Sequence, residues 1–140
     1  MSRLSQRCAR VLRVRAVEHR VATVRQLAAE RRIAELLGVA RRLEDLRAGL
    51  DPVVGTSSGQ SLRAMAEMKA RLVRAERELS HPIRDAEAHH EQAAAARLAA
   101  RTREDGAERL RDKAAAGEES AAALRADADR PARFVKRRRA

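Results

Sequence analysis

The chain has 140 residues and a net charge of +11, with 36% charged residues but one aromatic residue, Phe134, and neither Trp nor Tyr. Aromatic side chains dominate ordinary cores, and much of the 44% apolar share here is alanine, so a thick globular core is excluded and a thin seam between helices is not. Ala, Arg, Glu and Leu prevail, the composition of coiled coils and long helices, and no apolar run approaches the 18 residues of a membrane span.

The first predicted element is a helix over residues 4–50. Val14, Val17, Val21 and Val24 recur at 3-4-3 spacing, and Leu36, Ala40 and Leu43 form a second run. The joint through Ala28 and Arg32 steps by four, a stutter that unwinds a left-handed supercoil locally. A helix of this extent is roughly 70 Å long at 1.5 Å per residue and needs a partner helix along its length. The opening residues Met1–Ser5 are basic but lack the apolar stretch of a secretion signal. The single cysteine, Cys8, has no intramolecular disulfide partner, which fits a reducing compartment.

Residues 51–61 combine Pro52, Gly55, Gly59 and a Ser/Thr cluster, the strongest loop signal in the chain, with Ser61 placed to cap a second helix. That helix spans residues 62–129. Its apolar positions start with Leu62, Met65, Met68, Leu72, Ala75 and Leu79, and resume with Ala107, Leu110, Ala114, Gly117, Ala121 and Leu124. Pro82 predicts a kink or a short break, with Ser80 capping a new helix. Residues 130–140 hold six Lys and Arg and no acid, and read as a basic, disordered tail.

These elements predict an all-α fold, a long antiparallel two-helix coiled-coil hairpin with the second helix the longer. Its expected seam includes Val14, Val17, Val21, Val24, Leu36, Leu43, Leu62, Leu72, Leu79, Leu110 and Leu124. Folding back at Gly55 sets Leu4 opposite Gly106 and lets the second helix overshoot the N-terminus by about twenty residues. Residues 1–50 carry 12 Arg against 5 acids, so the basic N-terminal stretch and the basic tail make one end strongly positive.

No phosphate-binding glycine loop, nucleophile elbow or metalloprotease motif occurs, so an enzyme is not predicted and no cofactor is implied. His81, His89, His90 and Glu91 are the only clustered ligand types. His89 and His90 are adjacent and point about 100° apart on a helix, which favours solvated histidines over a metal site. Cys8 beside Arg7 and Arg10 reads as a seam or surface residue before a reactive thiol.

The stretch Arg10-Val11-Leu12-Arg13-Val14-Arg15-Ala16-Val17-Glu18 resembles the opening of FliJ-type flagellar export proteins, where a Leu-Arg-hydrophobic-Arg run precedes an acid and a long Ala/Glu/Arg helix. Size, charge richness, scarcity of aromatics and the helix-loop-helix plan extend the likeness. Pro82 and the alanine-rich second seam depart from it. The resemblance implies a non-enzymatic stalk in the flagellar type III protein export apparatus, cytoplasmic and lying at the cytoplasmic face of the inner membrane. Its implied partners are the export ATPase hexamer and the cytoplasmic domain of the export gate. It places Arg3, Arg7, Arg10 and Arg13, with Arg133, Arg137, Arg138 and Arg139 of the tail, at the ATPase end, and the tip near residues 51–61 toward the gate. A flagellar and an injectisome system fit equally. The competing readings are a basic helical nucleic-acid-binding protein and a general coiled-coil adaptor. The chain is expected as a monomer or a weak homo-oligomer.

Overall fold

The structure, a computed structural model, describes residues 2–50 and 58–130. Two helices make up the fold, α1 (Arg3–Ala48) and α2 (Gly59–Ala128), packed against each other as an antiparallel hairpin; the described residues contain no strand. The expected loop tip, 51–57, and the tail from 131 onward lie outside the described residues.

Caps set the described helix ends. Ser2 Oγ accepts from the Ser5 amide at 3.2 Å and the Ser2 carbonyl from the Gln6 amide at 3.1 Å, so Ser2 is the N-cap of α1. At α2 the cap is Ser58, not Ser61. Ser58 Oγ accepts from the Ser61 amide at 3.2 Å, and the hydroxyls of Ser58 and Ser61 stand 3.0 Å apart. Three residues separate cap and N3 in that arrangement, so Ser61 serves as the inner partner of the cap.

Pro82 does not break α2, which runs through it. Pro lacks the N–H that would reach the Glu78 carbonyl. Nearby, Ser80 Oγ donates to the Arg77 carbonyl at 2.8 Å and Arg84 Nε donates to the Ser80 carbonyl at 3.3 Å. Ser80 is therefore an interior residue rather than a new cap. Half-buried Leu79, Ile83 and Ala86 continue the packing on both sides of Pro82, and this tertiary packing outweighs one lost hydrogen bond.

The chain divides into two compact units, Met1–His19 with Ala100–Ala140, and Arg20–Ala99. In the second of these, the seam of α1 runs Ala22, Gln26, Ala29, Ile33, Leu36, Ala40, Leu43, Arg47, and that of α2 runs Leu72, Glu76, Leu79, Ile83, Ala86, His90, Ala93, all buried or half-buried. Arg47 Nη1 reaches Glu76 Oε2 at 3.1 Å, His90 Nε2 lies 3.4 Å from Glu30 Oε1, and Arg97 donates to Gln26 at 3.2 Å. Because Arg47 is level with Glu76, residues 59–71 of α2 have no α1 residue opposite them, and Leu62 and Met68 are exposed accordingly.

In the other unit, Ser5, Cys8, Leu12, Ala16 and His19 face Ala100, Glu104, Ala107, Arg111, Ala114, Glu118 and Ala121. His19 Nδ1 stands 2.6 Å from Glu104 Oε2, and the Ser2 amide donates to Glu118 Oε1 at 2.7 Å. Leu4 is thus level with residues near Glu118 rather than Gly106, and α2 passes the start of α1 by about ten residues, half the expected overshoot.

Around Ala28 and Arg32 the seam of α1 runs Ala22, Gln26, Ala29, Ile33 and Leu36 in alternating steps of four and three and leaves both residues exposed, so no stutter occurs there. The expected seam is correspondingly displaced. Leu36 and Leu72 are buried and Leu43 and Leu79 half-buried, but Val14, Val17, Val21, Val24, Leu62, Leu110 and Leu124 are 44–72% exposed. The cause lies in α2, which offers Ala86, Ala93, Ala100, Ala107, Ala114 and Ala121 at every seventh position. Small side chains favour close backbone approach, so α1 turns its own small residues, Ser5, Cys8, Ala22 and Ala29, toward them. A valine ridge would hold the helices apart and waste the alanine row.

Candidate partner-binding site

Arg3, Arg7, Arg10 and Arg13 occupy the first three turns of α1 and are all exposed. Among the described residues none of the four is paired with a carboxylate; Arg13 Nε makes a long 3.4 Å hydrogen bond to the Ala9 carbonyl. Arg15, the next in line, is held by Glu18 at 2.8 Å. From Arg3 to Glu18 the helix carries five Arg and one acid. Like charges this close along one helix repel and disfavour it, so the helix is supported from the seam side. Arg133, Arg137, Arg138 and Arg139, expected at the same end, lie outside the described residues.

Two carboxylate-bearing features flank this end. The Glu118 carboxyl is held below its usual range, first by hydrogen bonds from the Ser2 side chain and backbone. Farther along α2, Arg111 pairs with Asp112 at 2.7 Å, which raises the Arg111 guanidinium and leaves it fully ionised. Neither contact involves Arg3, Arg7, Arg10 or Arg13 of α1.

Beside the arginines, Leu4, Val11, Val14 and Val17 on α1 and Leu110 and Leu124 on α2 stand in solvent, and of these Val14, Val17, Leu110 and Leu124 are ones that periodicity alone assigns to the seam. Arg10, Val11, Val14, Arg15 and Glu18 line an open depression of about 280 Å³. The signal for this surface is present in the sequence, as a valine stripe with a different phase from the alanine row, but phase alone does not say which stripe is inside.

The histidines are dispersed. His19 and His90 face carboxylates across the helix pair, His81 pairs with Asp85 one turn on at 3.3 Å, and His89 borders a shallow depression of about 280 Å³ with Ala22, Arg25 and Ala96. Among the described residues no three His, Cys, Asp or Glu groups gather as a metal site would require. Cys8 is half-buried in the seam between Ser5 and Leu12. No helix among the described residues is long and apolar enough to cross a membrane. The arrangement offers cationic and apolar surface on a helix pair, which is the chemistry of binding.

Comparison with protein-family models, with curated proteins and with solved structures gives no match for this chain.

Proposed function

We propose that the chain is a coiled-coil component of a bacterial flagellar type III export apparatus, acting at the cytoplasmic face of the inner membrane. In this reading the arginine end of α1 engages the ring of the export ATPase, and the opposite end of the hairpin is directed to the cytoplasmic domain of the export gate. The observation that carries it is the row Arg3, Arg7, Arg10 and Arg13, four exposed arginines that have no carboxylate partner among the described residues, at one end of an antiparallel helix pair. An acidic ring lumen is attracted to such an end, and the attraction favours rate and orientation of docking. The helical-hairpin fold and the FliJ-like run from Arg10 to Glu18 support the same assignment.

The test is a pull-down from the source bacterium's lysate at about 150 mM salt with nuclease present, where phosphate-driven association is suppressed. The wild-type chain is expected to recover the export ATPase, and a variant with Arg3, Arg7, Arg10 and Arg13 all changed to Gln is expected to lose it. Equal recovery by the two chains removes the ATPase assignment. Recovery of nucleic-acid proteins alone, lost with nuclease, replaces it with the nucleic-acid reading.

A further inference from the structure

In an antiparallel helix pair the residues that flank the seam fall into two edges. One edge carries Ser2, Arg101 and Glu108 among alanines, Ala9, Ala16, Ala115 and Ala122. On the other edge, Val11 precedes seam residue Leu12 and Leu110 precedes seam residue Arg111. The pairs His19–Glu104 and Ser2–Glu118 bracket these positions and set Val11 level with Leu110. Leu4 lies seven residues before Val11, while Gly117 and Leu124 lie seven and fourteen after Leu110. The edge is therefore an apolar strip with a heptad repeat on both of its helices, and Leu4, Val11, Leu110 and Leu124 are 48–72% exposed along it.

Position 117 adds a gap to the strip. A Cβ there would meet nothing within 4 Å. Large side chains alternating with an open gap at two-turn intervals are the surface into which the knobs of a third helix fit. Contiguous exposed apolar surface rimmed by polar residues marks a contact with a partner.

Charge says what kind of helix. On this side of the pair, Arg7 of α1 and Arg103 and Lys113 of α2 are exposed, with Arg10 and Arg109 on the outer faces next to them, against Glu18, which is already held by Arg15. The acids of the same stretch of α2 sit elsewhere: Glu104 and Glu118 in the seam, Glu108 on the opposite edge beside Arg111, and Asp105, Asp112 and Glu119 on the far side. A second copy of this chain would set arginines against arginines along α1. An anionic membrane suits the charge, but interfacial helices anchor through Trp, Phe and Leu, and this strip has no aromatic and two β-branched valines at its centre.

We infer that the Leu4–Val11–Val14 and Leu110–Leu124 edge is the docking surface for an acidic amphipathic helix of a partner protein, which completes a three-helix bundle over this end of the hairpin. The inference stands independently of the export reading, because it concerns the apolar strip and the form of the partner rather than its identity.

The probe is a synthetic 28-residue helical peptide with Leu at every a and d position and Glu at the flanking ones, labelled for fluorescence anisotropy; Glu repulsion keeps it from pairing with itself. A matched peptide with Lys in place of Glu is the control. The full chain is expected to bind the acidic peptide and not the basic one. The variant Val11→Gln/Val14→Gln is expected to bind at least tenfold more weakly while keeping the wild-type helix signal, since both side chains are about half exposed and their loss costs the hairpin little. Equal binding by wild type and variant makes the contact purely ionic and overturns the inference. So does a concentration-dependent dimer that Val11→Gln abolishes, which assigns the strip to a second copy. Adsorption to vesicles containing phosphatidylserine, without peptide binding, assigns it to a membrane and overturns the inference as well. Peptide binding together with failure to recover an export ATPase removes the export reading alone.

Discussion

Leu36→Ala and Val24→Ala discriminate the seam observed from the one that hydrophobic periodicity predicts. Both are apolar residues of α1 in the unit spanning Arg20–Ala99, and both look equally internal by spacing. Leu36 is 6% exposed and Val24 is 65% exposed. Removing three buried carbons from Leu36 forfeits about 2.4 kcal/mol at roughly 0.8 kcal/mol each. A two-helix seam borders solvent and collapses readily around the gap, so the cost stays near the low end of the ~2–5 kcal/mol seen for such truncations. Val24→Ala removes two carbons, of which about a third of the area is buried, for about 0.5 kcal/mol. Replacing a β-branched residue by Ala in a helix returns about as much in propensity. The expected difference is about 2 kcal/mol. With a urea slope of about 2 kcal/mol per molar, Leu36→Ala lowers the unfolding midpoint by about 1 M, and Val24→Ala moves it by under about 0.3 M. Far-UV circular dichroism reads both transitions. Equal destabilisation by the two changes would refute the phase of the seam and restore the valines to the interior.

Three further outcomes follow from the same geometry. Ala29 and Ala93 are 3% and 8% exposed and lie between the Gln26–Arg97 and Glu30–His90 pairs, so Ala93→Leu overpacks a seam of small residues and is expected to lower stability by about 1–3 kcal/mol; a rise in the urea midpoint would mean that the helices are spaced for larger side chains. Pro82→Ala restores the donor to the Glu78 carbonyl inside a continuous helix and is expected to stabilise by about 1–3 kcal/mol in the same assay, whereas destabilisation would show that a proline-induced bend is needed for packing. Glu118 is depressed by its hydrogen bonds from Ser2, so its contribution is present above the ordinary glutamate value of about 4.3 and is lost as pH falls through the lower folded value. Between pH 6 and pH 3 the wild type is therefore expected to lose more stability than Glu118→Gln, and parallel losses would remove Glu118 from the account.

The fold class was legible because it depends on composition and on two long periodic segments separated by one loop signal. Helix ends were legible to within a few residues, Arg3–Ala48 and Gly59–Ala128 against 4–50 and 62–129. The phase of the seam was not, since it is a property of two helices jointly. Val14, Val17, Val21 and Val24 satisfy a 3-4 pattern on α1 alone, but the alanine row of α2 selects a different face. The expected seam partners Leu110 and Leu124 failed for the same reason, while the alanines beside them, Ala107, Ala114 and Ala121, are inside. Polar seam residues such as His19, Gln26 and Glu76 carry no hydrophobic signal, and their partners across the pair, Glu104, Arg97 and Arg47, help make them acceptable there. The basic end was visible in the charge count, but the apolar edge beside it was hidden, because Val14, Leu110 and Leu124 were assigned to the core and Leu4 and Val11 stood outside the expected seam.

That polar seam has a consequence for the binding surface. Alanines repeating every seven residues look the same after a slip of one heptad, so they hold the helices together without choosing a register. The polar residues choose it. Sliding α2 by seven residues would bring Arg111 to the level of His19 in place of Glu104, and Ile83 to the level of Arg47 in place of Glu76. Two half-buried acids, Glu76 and Glu104, would lose their bases and one histidine would face a guanidinium, a penalty that a partly buried ion pair imposes when it is broken. The same slip would put Gly117 beside Val11 and leave Leu110 level with Glu18. The strip of alternating large residues would then lose its match across the pair. Register specificity in this seam and the shape of the apolar edge are therefore one property. A partner helix that reads Leu4, Val11, Leu110 and Leu124 depends on His19–Glu104 and Ser2–Glu118 without touching either.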